Sequence, residues 1–133
     1  MVAEDSIAYA VLYQQIFEAR GHSVKITLNG EECVSTYLGA SKKKPFDMVI
    51  LDHSMPKKTG FEVAKEILKA KPEQKILFIT SFGDEIESKL DELGNTKSVT
   101  VLEKPFNSSI LTEWLDQIIK EDTTNKILQL NRI

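Results

Sequence analysis

Five polar residues follow short apolar runs in this chain, and their types suit phosphoryl transfer. They are Glu4, Asp5, Asp52, Thr80 and Lys104. Carboxylates held close together raise one another's pKa unless a cation lies between them. Mg²⁺, which binds carboxylate and phosphate oxygens, would relieve that repulsion. Asp52 could then attack phosphorus and form an aspartyl-phosphate, while Thr80 and Lys104 stabilise charge on the phosphoryl oxygens.

Asp52 is the centre of this hypothesis. It ends an unbroken apolar run at residues 48–51, which is typical of a strand buried on both faces of a parallel sheet. Pro56 indicates a turn after it rather than direct entry into a helix. Open α/β folds bind ligands at the carboxyl ends of such strands, so Asp52 is predicted at the mouth of a site. A role as a helix cap is disfavoured by the intervening Ser54 and Met55.

The other polar residues each have a structural alternative. Glu4 and Asp5 could merely favour the dipole of the following helix. Thr80 could cap a helix, and Lys104 could be a surface lysine. Beside Asp52 we favour metal binding by the acid pair, and the apolar strand before Lys104 favours a directed role for its ammonium.

Apolar patterns and capping residues predict alternating strands and helices. Strands are expected at residues 1–3, 24–28, 46–52, 75–80 and 99–102, of which the second alternates like an edge strand. Four helices are expected to begin at side chains that can cap them: Ser6, Asn29 with Glu32, Thr59 with Glu62, and Asp84 with Glu87. The (βα)5 order implies an α/β, flavodoxin-like, doubly wound parallel sheet of order 2-1-3-4-5 with helices on both faces.

Apolar residues at helical spacing indicate the face of each helix that packs on the sheet. They are Ala8, Val11, Leu12, Ile16 and Ala19; Cys33, Val34, Tyr37 and Leu38; Phe61, Ala64, Ile67 and Leu68; Ile86, Leu90 and Leu93; and Ile110, Leu111, Trp114, Leu115, Ile118 and Ile119. Cys33 is expected in the core rather than as a reactive thiol. His53 is interpreted as a partly exposed neighbour of Asp52 with no catalytic or metal role.

Size and composition favour one globular cytoplasmic domain. The chain has 133 residues, 41% apolar and 28% charged, with a net charge of −3. That balance argues against a nucleic-acid surface, and no apolar stretch is long enough to span a membrane. The single cysteine excludes a disulfide framework. We expect the domain to occupy residues 1–121, with residues 122–133 a tail or the start of a linker.

The chain resembles the receiver domains of two-component response regulators over about residues 1–120. The motifs that carry the resemblance are Ala3-Glu4-Asp5, Leu51-Asp52, Met55-Pro56 with Gly60, Thr80-Ser81, and Glu103-Lys104-Pro105-Phe106. Each motif is weak alone, but their order at successive strand ends is a strong signal.

This resemblance implies roles for particular residues. Asp52 would be the phosphoacceptor, Thr80 and Lys104 the phosphate-sensing pair, and the metal ligands would be Glu4, Asp5, Asp52 and the backbone carbonyl of Ser54. Phosphate would come from a histidine kinase, a phosphotransfer protein or a small phosphodonor. The switch would then act on a downstream protein or a homodimer, with no enzymatic activity beyond self-phosphorylation and self-dephosphorylation.

Two departures from the family pattern keep alternatives open. The first strand is short, and Val101 stands where many members carry a switching Tyr or Phe. The chain could therefore be an interaction module that keeps the fold without using phosphorylation. A phosphatase with an Asp nucleophile is a third possibility, but such enzymes need a second Asp where Ser54 stands.

Overall fold

One parallel sheet organises the chain. The computed structural model describes residues 1–40, 45–94, 97–104, 109, 111–113 and 115–117. Its strands are Val2–Ala3 (β1), Ile26–Thr27 (β2), Val49–Leu51 (β3), Ile76–Thr80 (β4) and Val99–Glu103 (β5). They pair in the order β2-β1-β3-β4-β5, all parallel, so the predicted topology is confirmed.

Helices follow the strands in alternation. They span Ile7–Ala19 (α1), Gly30–Gly39 (α2), Gly60–Ala70 (α3) and Gly83–Lys89 (α4), and a short 3₁₀ helix, Leu90–Leu93, continues from α4. The described residues between positions 109 and 117 are also helical. No helix in the described part of the chain is both long and apolar enough to cross a bilayer.

Three of the four predicted caps are confirmed. Ser6, Asn29 and Thr59 each accept a hydrogen bond from a backbone N–H in the first turn of α1, α2 and α3. The predicted cap of α4 is wrong, because this helix begins at Gly83 and its N-cap residue is Phe82, which makes no side-chain capping bond. Asp84 lies inside the first turn, where its charge favours the helix dipole.

The core is divided by the sheet into two layers. One layer joins the sheet to α2, α3 and α4, with the buried residues Cys33, Val34, Phe61, Val63, Ala64, Ile67, Leu68 and Ile86. The other joins it to α1 and the C-terminal helical residues, with Tyr13, Phe17, Leu111 and Leu115. Helices therefore cover both faces, as the unbroken apolar runs in β3 and β4 require.

The packing face of α1 differs from the predicted one. Ala10, Tyr13 and Phe17 are buried. The residues chosen by spacing are exposed or half-buried: Ala8, Val11, Leu12, Ile16 and Ala19. Because α1 is apolar around most of its circumference, spacing alone allowed two faces. The aromatic face packs on the sheet because it buries more apolar area per residue.

The second helix matches its prediction in part, and the third matches fully. All four predicted apolar residues of α3 are buried. Cys33 in α2 is fully buried, and burial raises the pKa of its thiol to about 11, so the thiol belongs to the core. Leu38 is 58% exposed, so its predicted packing role is wrong. Ile110, Trp114, Ile118, Ile119 and the predicted tail lie outside the described residues.

Candidate functional site

Strand register brings the predicted site residues to one edge of the sheet. Ala3 in β1 is paired with Leu51 in β3, so Glu4 and Asp52 leave neighbouring strands at the same level. The Asp52 N–H donates to the Ala3 carbonyl at 3.0 Å. On the other side of β4, the Lys104 N–H donates to the Thr80 carbonyl at 2.9 Å. Residues distant in sequence therefore meet because parallel strands end together.

Three carboxylates lie close together at this edge of the sheet. Glu4, Asp5 and Asp52 each offer an oxygen, and these oxygens all lie within 4.8 Å of one another. Glu4 is fully buried, Asp52 is nearly so, and Asp5 is exposed. Both N-terminal acids thus lie beside Asp52, in an arrangement that can hold a cation from the solvent side.

Lys104 reaches into the same cluster. Its Nζ donates to Glu4 Oε1 at 2.5 Å and lies 3.6 Å from Asp52 Oδ2. Only 10% of its side chain is exposed. The ammonium therefore partly balances the cluster, with Glu4 as its nearer partner.

The pKa of Glu4 lies well above its ordinary value. Burial, then the neighbouring Asp52 carboxyl, raise the pKa of Glu4 to about 7, while Lys104 acts in the opposite direction. Glu4 Oε2 is buried and has no hydrogen-bond partner among the described residues. A buried, unpaired carboxylate oxygen is costly. A divalent cation held by these acids would supply the missing partner, so the residues present fit such an ion.

Thr80 is the last residue of β4 and is fully buried. Its Oγ1 accepts a hydrogen bond from the Phe82 N–H at 3.1 Å, in the turn between β4 and α4. The hydroxyl proton can still be donated elsewhere. Thr80 therefore connects the carboxyl end of β4 directly to the start of α4.

The loop after Asp52 is held tightly. The Gly60 N–H donates to the His53 carbonyl at 2.9 Å, and a Cβ on Gly60 would clash with the Asp52 carbonyl oxygen. Lys57 adopts a positive φ of 71°. Ser54 is exposed at the outer side of this loop. The start of α3 is thus pressed against the backbone that carries Asp52.

His53 is buried, with 8% of its surface exposed, so its interpretation as a partly exposed residue is wrong. Its Nδ1 accepts from the Phe61 N–H at 3.4 Å, and its Nε2 lies 3.6 Å from Glu85 of α4. The ring also meets Phe82 edge-on at 6.3 Å. His53 lies two residues after Leu51, the end of β3, so alternation directs its side chain to the same face of the sheet as Leu51, and here α4 covers it.

Tyr9 was not singled out by the sequence, yet its ring lies against the site. The Lys104 Nζ is 4.1 Å from the centroid of that ring. The available signal was its position in the first turn of α1, one turn after the Glu4-Asp5 pair. Because α1 begins shortly after Glu4 and Asp5, the side chain in its first turn that faces the sheet edge lies against the site.

The chain matches a family model described as the response regulator receiver domain over residues 1–116. Among curated relatives, it is 27% identical over 121 residues to the chemotaxis protein CheY of Thermotoga maritima, covering 90% of this chain and 96% of that protein. It is also 27% identical over 120 residues to the transcriptional regulatory protein RprY of Bacteroides fragilis, covering 90% of this chain. The chain spans about half of RprY, 48% of its length.

A solved structure provides a further comparison. The response regulator TrrA from Thermotoga maritima, solved in complex with Mg²⁺ and BeF, aligns with a TM-score of 0.74 at 28% identity. The alignment covers 88% of this chain and 95% of that one. The likeness therefore extends over nearly the whole fold.

Proposed function

The chain belongs to the response regulator receiver domain family, and we propose that it is a cytoplasmic switch phosphorylated on Asp52 in a Mg²⁺-dependent reaction. The observation that carries this proposal is the convergence on Asp52 of two further carboxylates and the Lys104 ammonium. Acids with one lysine at the carboxyl ends of parallel strands are the parts that metal-assisted phosphoryl transfer requires.

The ion would be held by the side chains of Glu4, Asp5 and Asp52 and by the backbone carbonyl of Ser54. Two features support the three acids: their carboxylate oxygens lie within 4.8 Å of one another, and Glu4 Oε2 is buried without a hydrogen-bond partner among the described residues. The Ser54 carbonyl is included on the family resemblance. Magnesium, when bound, neutralises charge on the phosphoryl oxygens and on the nucleophile. The TrrA complex with Mg²⁺ and BeF is a related protein with such an ion.

In the transfer step, a carboxylate oxygen of Asp52 attacks phosphorus. The phosphorus–nitrogen bond of a phosphohistidine breaks, and its electron pair stays on the imidazole nitrogen. Lys104 exchanges its contact with Glu4 for a phosphoryl oxygen, and its charge stabilises the transferring group. Attack by water on the acyl phosphate later returns the Asp52 carboxylate and inorganic phosphate, which is the only turnover we propose.

Phosphorylation would then act through Thr80. Movement of the Thr80 hydroxyl toward a phosphoryl oxygen, to which it would donate, would change the geometry of the hydrogen bond that it accepts from the Phe82 N–H, and Phe82 is the N-cap of α4. The modified state is favoured only to the extent that it makes better contacts than the unmodified one. We propose that α4 and β5 carry this change to a downstream protein or a second copy, within a domain of residues 1–121 and a tail of residues 122–133.

The proposal is tested with a small phosphodonor. Wild-type protein incubated with acetyl phosphate and Mg²⁺ should gain one phosphate by intact mass, and Asp52→Asn should gain none. Asp84→Asn, on an exposed acid in α4, is the matched control and should label like the wild type. Equal labelling of Asp52→Asn, or labelling that survives a chelator, would contradict the proposal.

A phosphorylation-independent interaction module is the second candidate. Val101 favours it, since this β5 residue is half-buried and offers no aromatic ring to switch. In that case beryllofluoride with Mg²⁺ would leave partner binding unchanged, whereas a switch would alter it.

A further inference from the structure

We propose that Tyr9 is a positioning residue for Lys104, holding its ammonium in place for the phosphoryl group through the face of its ring. The inference rests on the proposed function of the Asp52 site. It assigns a role to a residue on α1 that supplies no metal ligand and no group to phosphorus.

Lys104 is enclosed on several sides. Glu4 Oε1 lies 2.5 Å from its Nζ and Asp52 Oδ2 lies 3.6 Å away, while the Tyr9 ring centroid is at 4.1 Å. A cation within about 6 Å of an aromatic centroid is attracted by the ring quadrupole, and more strongly where water is excluded. Since only 10% of the lysine side chain is exposed, this contact is largely desolvated.

The ring is itself firmly placed. Tyr9 lies in the first turn of α1, where its N–H donates to the capping Ser6 Oγ at 3.4 Å. Behind it, Tyr13 and Phe17 continue an aromatic row along the helix, with centroid separations of 6.0 and 6.2 Å. Tyr13 and Phe17 are buried against the sheet. The ring is therefore fixed by the same helix that begins after Glu4 and Asp5.

An aromatic face suits this task better than a further carboxylate would. It attracts the ammonium without competing for it as a hydrogen-bond acceptor, so the lysine protons remain available to oxygen atoms. When phosphate arrives, Lys104 can leave Glu4 while keeping the ring contact. The ring contact thus already restricts the Lys104 side chain before phosphorylation. Less conformational entropy is then lost when the ammonium binds the phosphoryl group.

The test compares Tyr9→Leu, which removes the ring, with Tyr9→Phe, which keeps it. We expect Tyr9→Leu to weaken beryllofluoride binding and to slow acetyl phosphate labelling by about fivefold to tenfold, as loss of a desolvated cation–π contact implies. Tyr9→Phe should stay within about twofold of the wild type, because the ring face remains. Mg²⁺ affinity, measured by calorimetry, should not fall in either variant, because both keep the three acids.

A double-mutant cycle shows whether Tyr9 acts through Lys104. In a Lys104→Met background, Tyr9→Leu should change beryllofluoride affinity less than about twofold, since the cation is gone. Full additivity would overturn the proposal, as would unchanged binding in Tyr9→Leu or a parallel loss of Mg²⁺ affinity. Tyr9→Met replaces Tyr9→Leu if circular dichroism shows the latter unfolded. A wild type that binds no beryllofluoride would instead refute the function of the site itself.

Discussion

At the scale of single residues, the ion pairs of Lys104 determine the charge balance of the site. Its nearer partner is Glu4, not the proposed nucleophile. Removing one member of a buried ion pair leaves an uncompensated charge, so these two side chains constrain each other strongly. In the unphosphorylated protein, Lys104 is thus paired with Glu4, a candidate metal ligand. Binding of an ion or a phosphoryl group at the site must change this ion pair.

Lys57 gives a residue-scale prediction about stability. Its φ of 71° is left-handed, which costs a residue with a Cβ about 1–2 kcal/mol. Lys57→Gly removes that cost and adds back about 0.5–1 kcal/mol of backbone entropy, so we expect a net gain of about 0.5–1 kcal/mol in the free energy of unfolding. Urea unfolding at 25 °C measures it.

Lys57→Ala separates backbone strain from loss of the charge. Alanine keeps the Cβ and should therefore leave the free energy of unfolding within about 0.5 kcal/mol of the wild type. If glycine and alanine shift the urea midpoint equally, the strain argument is wrong at this position.

At the scale of elements, α4 is held by few contacts of its own. It has seven residues and no side-chain cap. Its ties to the Asp52 loop run through His53, which contacts both Phe82 and Glu85. A short helix of this kind gains most of its stability from tertiary packing. The stability of α4 therefore depends on its contacts with the rest of the domain, including the buried Ile86.

His53→Ala tests this coupling. Removing the imidazole deletes its contacts with α4, so local opening of α4 should cost about 1 kcal/mol less, equivalent to roughly fivefold faster amide exchange. Exchange in α3 should change much less, because its apolar face stays buried in the core. Hydrogen exchange followed by mass spectrometry resolves the two helices.

His22→Ala is the matched control, since His22 lies in the turn between α1 and β2. It should leave exchange in α4 unaltered. Acceleration spread evenly over α3 and α4 in His53→Ala would mean global destabilisation and would count against a specific link.

At the scale of the whole molecule, interactions at the site contribute to the stability of the folded domain. The acids lie on the loops after β1 and β3, so their repulsion opposes the strand pairing that unites them. An ion that binds only the assembled cluster stabilises the native state by mass action. The proposed metal binding would therefore be thermodynamically linked to folding.

We expect Mg²⁺ to raise the melting temperature of the wild-type protein. At a concentration ten times its Kd, the gain is about 1.4 kcal/mol, or about 4–6 °C for a domain of this size. Glu4→Gln should lose most of that shift, since it removes a charged ligand. Differential scanning fluorimetry with Mg²⁺ or with a chelator provides the measurement.

Glu87→Gln on exposed α4 serves as the control for a general effect of charge and should keep the full shift. A Glu4→Gln variant that responds to Mg²⁺ as strongly as the wild type would remove Glu4 from the ligand set. Equal shifts from Na⁺ at matched ionic strength would point to screening rather than binding.

The sequence alone determined the topology and the place of the site. Unbroken apolar runs, caps at Asn29 and Thr59, and polar residues at strand ends are local signals, and local signals predict elements and their order. The α4 cap was missed because Phe82, not Asp84, is the N-cap residue of that helix, in the turn after Thr80.

Only the tertiary structure decided which groups touch. The burial of His53, the aromatic face of α1 and the contacts of Lys104 with Glu4 and Tyr9 depend on packing between elements up to 100 positions apart. Periodicity describes one element at a time, and it cannot choose between two apolar faces of one helix. That choice depends on the volume and charge that neighbouring elements present once the sheet has assembled.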